Sequence, residues 1–148
     1  MESSSTEILV TGGEIEDTAW HHVALVKQGN TSDSTYTLYK DGVSVGSVTD
    51  SDTFTQSRWL GIGGNSDGGD YFDGNMDEIR ISNSARYTST FTPKTRGKQF
   101  TADANTLLLI HSDWEGGLGA DSSGNYNNFA VTNLVATDKM PDSPSNHF

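Results

Sequence analysis

The 148-residue chain carries 20 acidic against nine basic residues, a formal net charge of −11. That balance argues against nucleic-acid binding, which usually needs a basic face. Hydrophobic residues make up only 32% of the chain and glycine occurs 16 times, which is typical of short strands joined by many turns. No apolar run approaches the length that membrane insertion needs, and no apolar stripe persists at helical spacing.

The first half of the chain is predicted to be a loose polar arm, residues 1–7, followed by short strands. Asp41-Gly42 lies between two β-rich runs, which favours a type I′ turn because both turn residues need a positive φ. One strand, residues 20–27, is apolar on both parities, as in a strand covered on both faces. The strands of this half are predicted over residues 7–11, 20–27, 36–40 and 43–48.

The second half continues the pattern of short strands and adds two glycine-rich, acidic loops. Four consecutive apolar residues, Leu107 to Ile110, predict a buried strand because such a run cannot stay solvated. That strand should pair with strands of the N-terminal part, in the same chain or in a neighbour. The strands of this half are predicted over residues 58–62, 72–82, 107–112 and 129–134.

Three motifs follow one another in a fixed order along the chain. They are Trp20/His22/Val23/Ala24, Leu38/Tyr39/Asp41/Gly42 and Gly74/Asp77/Glu78/Arg80/Ile81. In this order they resemble the laminin-G-like branch of the concanavalin A-like lectin and glucanase domains. The resemblance implies an all-β fold, a jelly-roll sandwich of two antiparallel sheets. We expect this domain over residues 8–138, followed by an extended tail over residues 139–148.

The order of the halves departs from the pattern that this family shows. Segments like Leu107 to His111 and Asp121 to Asn125 normally lie at the start of a domain of this kind. Here they follow the motif at residues 74–81, which normally lies at its end. Three explanations stay open. The chain is circularly permuted, or it holds the end of one tandem repeat and the start of the next, or it lends its last strands to a neighbouring subunit.

Two sets of oxygen-bearing residues are candidates for a structural calcium ion. Asp77 shares strand parity with Ile79 and Ile81, so it should face the core, and the resemblance implies calcium at such a position. Capping by backbone amides or by an arginine would also satisfy this carboxylate. Asp121 and Asn125 lie on a flexible polar turn that suits calcium, although Asx-turns explain the same residues and are the interpretation we favour.

Aromatic residues in or beside the glycine-rich loops are candidates for stacking on sugar rings. Tyr71, Trp114 and Tyr126 are expected to be exposed there, and Asn127 to bind sugar hydroxyls. Trp20 and Trp59 are expected to fill the core instead.

Catalytic chemistry has little support in the sequence. The acid pairs Glu14/Glu16 and Asp113/Glu115 lack the context of a glycosidase strand, and paired carboxylates need a cleft at a set separation. His21 and His22 should point to opposite faces of a strand and cannot chelate one ion. We therefore expect no enzyme activity.

The order of the two halves, together with Tyr87, Phe91-Thr92-Pro93 and the ending over residues 142–148, also resembles modules of phage virion proteins. It implies a non-enzymatic structural or adhesion module on a tail or head appendage, with binding of glycan or another host-surface ligand. We expect self-association or contacts with other virion proteins, synthesis in a host cytoplasm, no nucleic-acid partner and no membrane insertion. The absence of cysteine fits folding in a reducing compartment. The alternative is a carbohydrate-binding accessory module of a secreted bacterial protein.

Overall fold

The computed structural model describes residues 10–30, 33–51, 60–64, 71–95, 97–112 and 119–129. Within these ranges the regular secondary structure is entirely β, in five strands. They are β1 (Val23–Asn30), β2 (Asp33–Lys40), β3 (Val43–Asp50), β4 (Ile79–Ser82) and β5 (Thr106–Ile110). The chain divides into two compact units, Met1–Ser57 with Ala85–Pro93 and Arg58–Ser84 with Lys94–Phe148.

The first unit contains a three-stranded antiparallel sheet in the order β1-β2-β3. Strands β2 and β3 are joined by Asp41 and Gly42, whose φ angles are 51° and 83°. Positive φ at both residues is what the predicted type I′ turn requires, so the hairpin prediction is confirmed. The Asp41 amide also donates to the His22 carbonyl at 2.8 Å, which fixes the chain just before β1.

An aromatic cluster packs against this hairpin within the first unit. The rings of Tyr87 and Phe91 stack with centroids 3.7 Å apart, and Phe91 meets Tyr39 edge-on at 5.6 Å. The His22 ring meets the Tyr87 and Phe91 rings edge-on. The Phe91 amide donates to the Gly42 carbonyl at 3.0 Å. Because Tyr39 is buried here, as Val26 and Tyr36 are elsewhere in the unit, this cluster forms part of the unit's core.

The second unit contains a two-stranded antiparallel sheet in which β4 pairs with β5. Leu108, Leu109 and Ile110 are buried, and Leu109 is only 1% exposed. The predicted paired strand is therefore confirmed, and so is its burial except at Leu107, which is exposed. The pairing is made within one chain, between the closing motif at Ile79 and Ile81 and the phrase at Leu108 to Ile110. An arrangement permuted within the chain accounts for this pairing without a second subunit.

Several predicted strands are shorter than expected or lie elsewhere. The strand predicted over residues 72–82 exists only as β4, because the Glu78 backbone adopts a φ of 53°, which an extended strand cannot accommodate. Residues 60–62 are not in a strand, and a bend reaches Gly63, where φ is 78°. The strand predicted from Trp20 begins only at Val23.

The expected strand over residues 107–112 ends at Ile110, since Ser112 has a φ of 50°. Within the predicted strands 7–11 and 129–134, the described residues Val10, Thr11 and Phe129 are not in strands. The rest of both segments lies outside the described residues, as do the arm 1–7 and the tail 139–148. The domain boundaries accordingly stay predictions.

Candidate ligand-binding site

The loop formed by residues 121–128, called here the Asp121 loop, is held by the carboxylate of Asp121. This carboxylate accepts hydrogen bonds from the Leu109 amide at 2.9 Å, the Ser123 amide at 2.8 Å, the Ser123 hydroxyl at 2.7 Å and the Asn127 amide at 2.9 Å. An isolated β-bridge joins Asp121 to Ile110. One side chain therefore fixes both the course of the loop and its attachment to β5.

Side chains of the loop add further hydrogen bonds to the β5 backbone. Asn125 Nδ2 donates to the Thr106 carbonyl at 2.9 Å, and Asn127 Nδ2 donates to the Leu107 carbonyl at the same distance. The Ser123 hydroxyl reaches the Leu107 carbonyl at 3.1 Å. The loop is thus a set of polar residues fastened to a buried strand, and short polar side chains are suited to such turns.

The ionisation of Asp121 follows from the same contacts. Partial burial raises the pKa of its carboxyl group, but the hydrogen bonds from Leu109, Ser123 and Asn127 outweigh burial and hold the pKa below its ordinary value. Hydrogen bonds donated to the charged form favour that form. Asp121 is consequently a carboxylate at neutral pH, and its negative charge faces donors of its own loop.

Tyr126 is the aromatic residue of this loop, and it is exposed to solvent. Its side chain is 86% exposed, and its backbone φ is 60°. A residue with a bulky side chain rarely adopts a positive φ. This conformation costs about 1–3 kcal/mol, which the surrounding structure must offset. The hydrogen bonds of the flanking residues Asn125 and Asn127 supply that support. The result is an exposed aromatic ring on a fixed backbone.

Of the other residues predicted to bind a ligand, Asn127 follows Tyr126 directly, whereas Tyr71 and Trp114 are distant from it in the sequence. Tyr71 is exposed as predicted, at 73%, beside Phe72, whose amide donates to the Gly63 carbonyl at 2.9 Å. Asn127 lies in the Asp121 loop, where its side-chain amide binds the Leu107 carbonyl. Trp114 lies outside the described residues, as does Trp59, whereas Trp20 is half-buried.

Calcium at the Asp121 loop does not fit the arrangement of its side chains. A calcium ion needs a shell of oxygen ligands. Here the Asp121 carboxylate is surrounded by N–H and O–H donors, and the amide nitrogen of Asn125 is turned toward the strand carbonyls. Among the described ranges, no group of three or more acidic, histidine or cysteine side chains is arranged to hold a metal ion.

Asp77 precedes β4 and does not lie in a strand, so its predicted strand parity with Ile79 and Ile81 is wrong. Its side chain is half-buried, and Asp77 Oδ1 accepts the Glu78 amide at 2.8 Å. That contact is the backbone capping considered as the alternative to calcium. A calcium ion at Asp77 stays a prediction.

Glu78 is a structural residue whose role the sequence did not reveal. Its Oε1 accepts a hydrogen bond from His111 Nδ1 at 2.6 Å, and its Oε2 accepts the Phe100 amide at 2.6 Å. The Phe100 ring in turn lies under the Arg80 guanidinium, 4.1 Å from its centre. The signal for this role in the sequence is the pair of adjacent acids, Asp77-Glu78, in the third motif.

A second unpredicted group surrounds His21 in the first unit. His21 Nδ1 lies 2.7 Å from Asp41 Oδ2, and Nε2 lies 2.9 Å from Asp17 Oδ1. The hydrogen bonds to Asp41 and Asp17 raise the pKa of His21, and those from His21 lower the pKa of both acids. His21 and His22 precede β1, so their expected placement on opposite faces of a strand is wrong. The reason is that Asp41 binds the His22 amide and so fixes this segment.

The structure describes only one of the two acid pairs that were weighed for catalysis. Glu14 and Glu16 are exposed in the segment that precedes β1, and Asp113 and Glu115 lie outside the described residues. A helix long and apolar enough to cross a membrane is not found in the described part of the chain.

Comparison with known proteins identifies the family. The family model Laminin_G_3, of the concanavalin A-like lectin/glucanases superfamily, matches residues 1–90. The chain belongs to this family, and the predicted all-β fold of the concanavalin A-like class, with two antiparallel sheets, is confirmed. No curated protein and no solved structure matches the chain. The family match includes Tyr71 and Asp77 but ends before β5 and the Asp121 loop.

Proposed function

We propose that this protein is a non-enzymatic carbohydrate-binding module and that Tyr126 on the Asp121 loop is its main contact with sugar. The family to which the chain belongs is one of lectins and glucanases, which supports carbohydrate as the ligand class. The observation that carries the choice of site is the 86% exposure of a tyrosine whose backbone is held at positive φ.

The chemistry of an exposed tyrosine suits a sugar ring. The face of an aromatic ring is electronegative, and the C–H groups on one face of a pyranose are weakly electropositive, so the two surfaces attract each other. A loop backbone that is already fixed loses little conformational freedom on binding, which favours affinity. Tyr71, which lies within the family match, and the predicted Trp114 are proposed as further stacking residues.

An array of bacterial and plant polysaccharides tests this function directly. We expect the protein to bind at least one polysaccharide, and Tyr126→Ala to weaken that binding about tenfold or more, because truncating a central aromatic contact typically costs over 1 kcal/mol. Tyr126→Phe keeps the ring and should retain most of the affinity. Unchanged affinity in Tyr126→Ala, with an unchanged melting temperature, would exclude Tyr126 as the contact.

The absence of catalysis is tested on the same ligands. We expect no release of reducing sugar from any polysaccharide that binds. Turnover that disappears in Glu14→Gln, Glu16→Gln, Asp113→Asn or Glu115→Gln would contradict the assignment as a binding module.

The proposed setting is a phage virion appendage, where the module would attach the particle to glycans of the host surface. This setting is supported by the sequence resemblance alone, and the alternative is an accessory module of a secreted bacterial protein. Purified particles probed with an antibody against the chain distinguish the two settings. Sedimentation of the chain, alone and with particle components, tests the proposed self-association and virion contacts. A monomer that attaches to no particle component would contradict the virion setting.

A further inference from the structure

The surroundings of the Asp121 loop in the sequence lack positive charge. Between Lys98 and Lys139 the chain contains no lysine or arginine, whereas five acids occur there, namely Asp103, Asp113, Glu115, Asp121 and Asp138. The formal charges of this stretch of the sequence are therefore all negative. The net charge of −11 adds a repulsive field for any anion that approaches from solution.

The structure describes three lysine and arginine residues in the same unit: Lys98 is exposed, and the other two contact the Phe100 ring. The Arg80 guanidinium lies 4.1 Å from the centre of the Phe100 ring, and the Lys94 ammonium lies 5.6 Å from it. The Lys94 ammonium also donates to the Gln99 carbonyl. Both side chains are thus used in packing around Phe100, where their contacts are with this chain.

The one negative charge inside the loop is also engaged. The Asp121 carboxylate accepts hydrogen bonds from Leu109, Ser123 and Asn127. A sugar ammonium group would have to displace these donors to pair with it, and the loop would then lose its attachment to β5. The polar groups that the loop offers around Tyr126 are otherwise the neutral side chains of serine and asparagine.

We infer that the Tyr126 site selects uncharged glycans, and that it rejects glycans bearing sulfate, uronate or sialate groups. This inference rests on the proposed carbohydrate binding and adds the ligand class. A neutral sugar that stacks on Tyr126 carries no charge that must lose its water. An anionic substituent would lose water without gaining a cation as partner.

Calorimetry with matched oligosaccharides tests the inference. The probes are hexamers of glucose, mannose, galactose and N-acetylglucosamine, each beside its sulfated form. We expect at least one neutral hexamer to bind, its sulfated form to bind at least about tenfold more weakly, and raised salt to leave the neutral affinity unchanged. Ser122→Lys, which places a cation on the loop, should acquire measurable binding of the sulfated hexamer.

The outcomes separate this inference from the proposed function. A sulfated hexamer that binds as tightly as its neutral form, with loss of both in Tyr126→Ala, would overturn the charge selection and leave carbohydrate binding at Tyr126 in place. Binding of no hexamer and of no polysaccharide would overturn both. Failure of Ser122→Lys to bind the sulfated form, in a variant that melts like the wild type, would count against the electrostatic origin of the selection.

Discussion

Glu78 and His111 face each other at one end of the β4–β5 pair, with Glu78 Oε1 2.6 Å from His111 Nδ1. Glu78 directly precedes β4 and His111 directly follows β5, so their contact extends the register in which Ile79 pairs with Ile110. Their side chains are only 11% and 15% exposed, respectively. The second oxygen of Glu78 binds the Phe100 amide, so this carboxylate joins three segments of the unit.

Glu78→Ala should destabilise the protein by about 2–5 kcal/mol, because the Phe100 amide and His111 would both lose their acceptor while shielded from water. Glu78→Gln retains one side-chain oxygen and should lose less. Urea unfolding followed by circular dichroism measures the difference. Equal stability of Glu78→Ala and the wild type would show that water replaces the carboxylate without loss.

Leu109→Ala should cost about 2–5 kcal/mol of unfolding free energy, because the side chain is fully buried and its removal leaves a cavity. Leu107 lies two residues away on the same strand but is 42% exposed, so it provides a matched control. Leu107→Ala should cost less than about 1 kcal/mol. Similar losses in the two variants would contradict the burial of Leu109.

The stability of the first unit should depend on pH through His21. An imidazole that binds Asp41 and Asp17 at once needs both ring N–H groups, so the contact requires the protonated ring. The pKa of His21 is raised above its ordinary 6.5, so this contribution is full below about pH 6.5 and is lost as pH rises through the raised value.

Asp17 and Asp41 set the lower limit of the pH range in which the His21 contacts stabilise the first unit. The pKa values of Asp17 and Asp41 are lowered from 3.8, so their contribution is full above that value and is lost as pH falls through the lowered values. We expect a maximum of the His21-dependent stability between about pH 4 and 6.5. His21→Gln should remove this dependence in melting curves measured across pH. A variant that keeps the wild-type profile would place the titrating group elsewhere.

Gly42→Ala should destabilise the hairpin much more than Gly124→Ala. Both glycines have positive φ, 83° and 88°, so both substitutions introduce similar backbone strain. A Cβ at Gly42 would lie 1.8 Å from the Phe91 carbonyl oxygen, whereas one at Gly124 would meet nothing within 4 Å. We expect Gly42→Ala to cost about 1–3 kcal/mol more than Gly124→Ala in chemical unfolding. Equal costs would mean that the segment carrying Phe91 moves away freely.

Asp121→Asn should lower the melting temperature by the same amount in millimolar calcium and in chelator, because the carboxylate acts through hydrogen bonds to its own loop. The same comparison tests the calcium ion predicted at Asp77. An ion there should stabilise the folded wild type by mass action, by about 2.7 kcal/mol at a hundredfold excess over its dissociation constant, and so raise the melting temperature. Asp77→Asn should remove this rise. Identical wild-type curves would mean that Asp77 is capped by protein groups.

Local chemistry was sufficient to predict the hairpin and the buried strand β5. Asp41-Gly42 favours a particular turn, and the apolar run Leu107 to Ile110 indicated burial, which the structure shows for all but Leu107. The strand predicted over residues 72–82 failed because its start depends on contacts distant in sequence: Glu78 leaves the extended conformation while its side chain binds Phe100 and His111. The alternation of apolar and polar residues along a strand does not predict contacts with residues distant in the sequence.

The candidate site was predictable only in part for the same reason. The exposure of Tyr71 and Tyr126 followed from their positions beside glycine-rich loops, and the Asx-turn interpretation of Asp121 agrees with its hydrogen bonds to Ser123 and Asn127. The attachment of this loop to Leu107 and Leu109 could not be foreseen, because it depends on the register in which the loop meets β5. The Asp17–His21–Asp41 group likewise forms only when the hairpin turn brings Asp41 back to residues before β1.

The contacts between the Asp121 loop and β5 also protect the protein against aggregation. A strand in a two-stranded sheet exposes one row of backbone groups that could recruit a strand from another molecule. On β5 that row is occupied: the Leu109 amide binds the Asp121 carboxylate, the Leu109 carbonyl accepts the Ser122 amide, and the Leu107 carbonyl is covered by asparagine and serine side chains. Side chains thus take the place of a neighbouring strand, and loosening the loop would expose the most apolar of the five described strands as a template for intermolecular β-pairing.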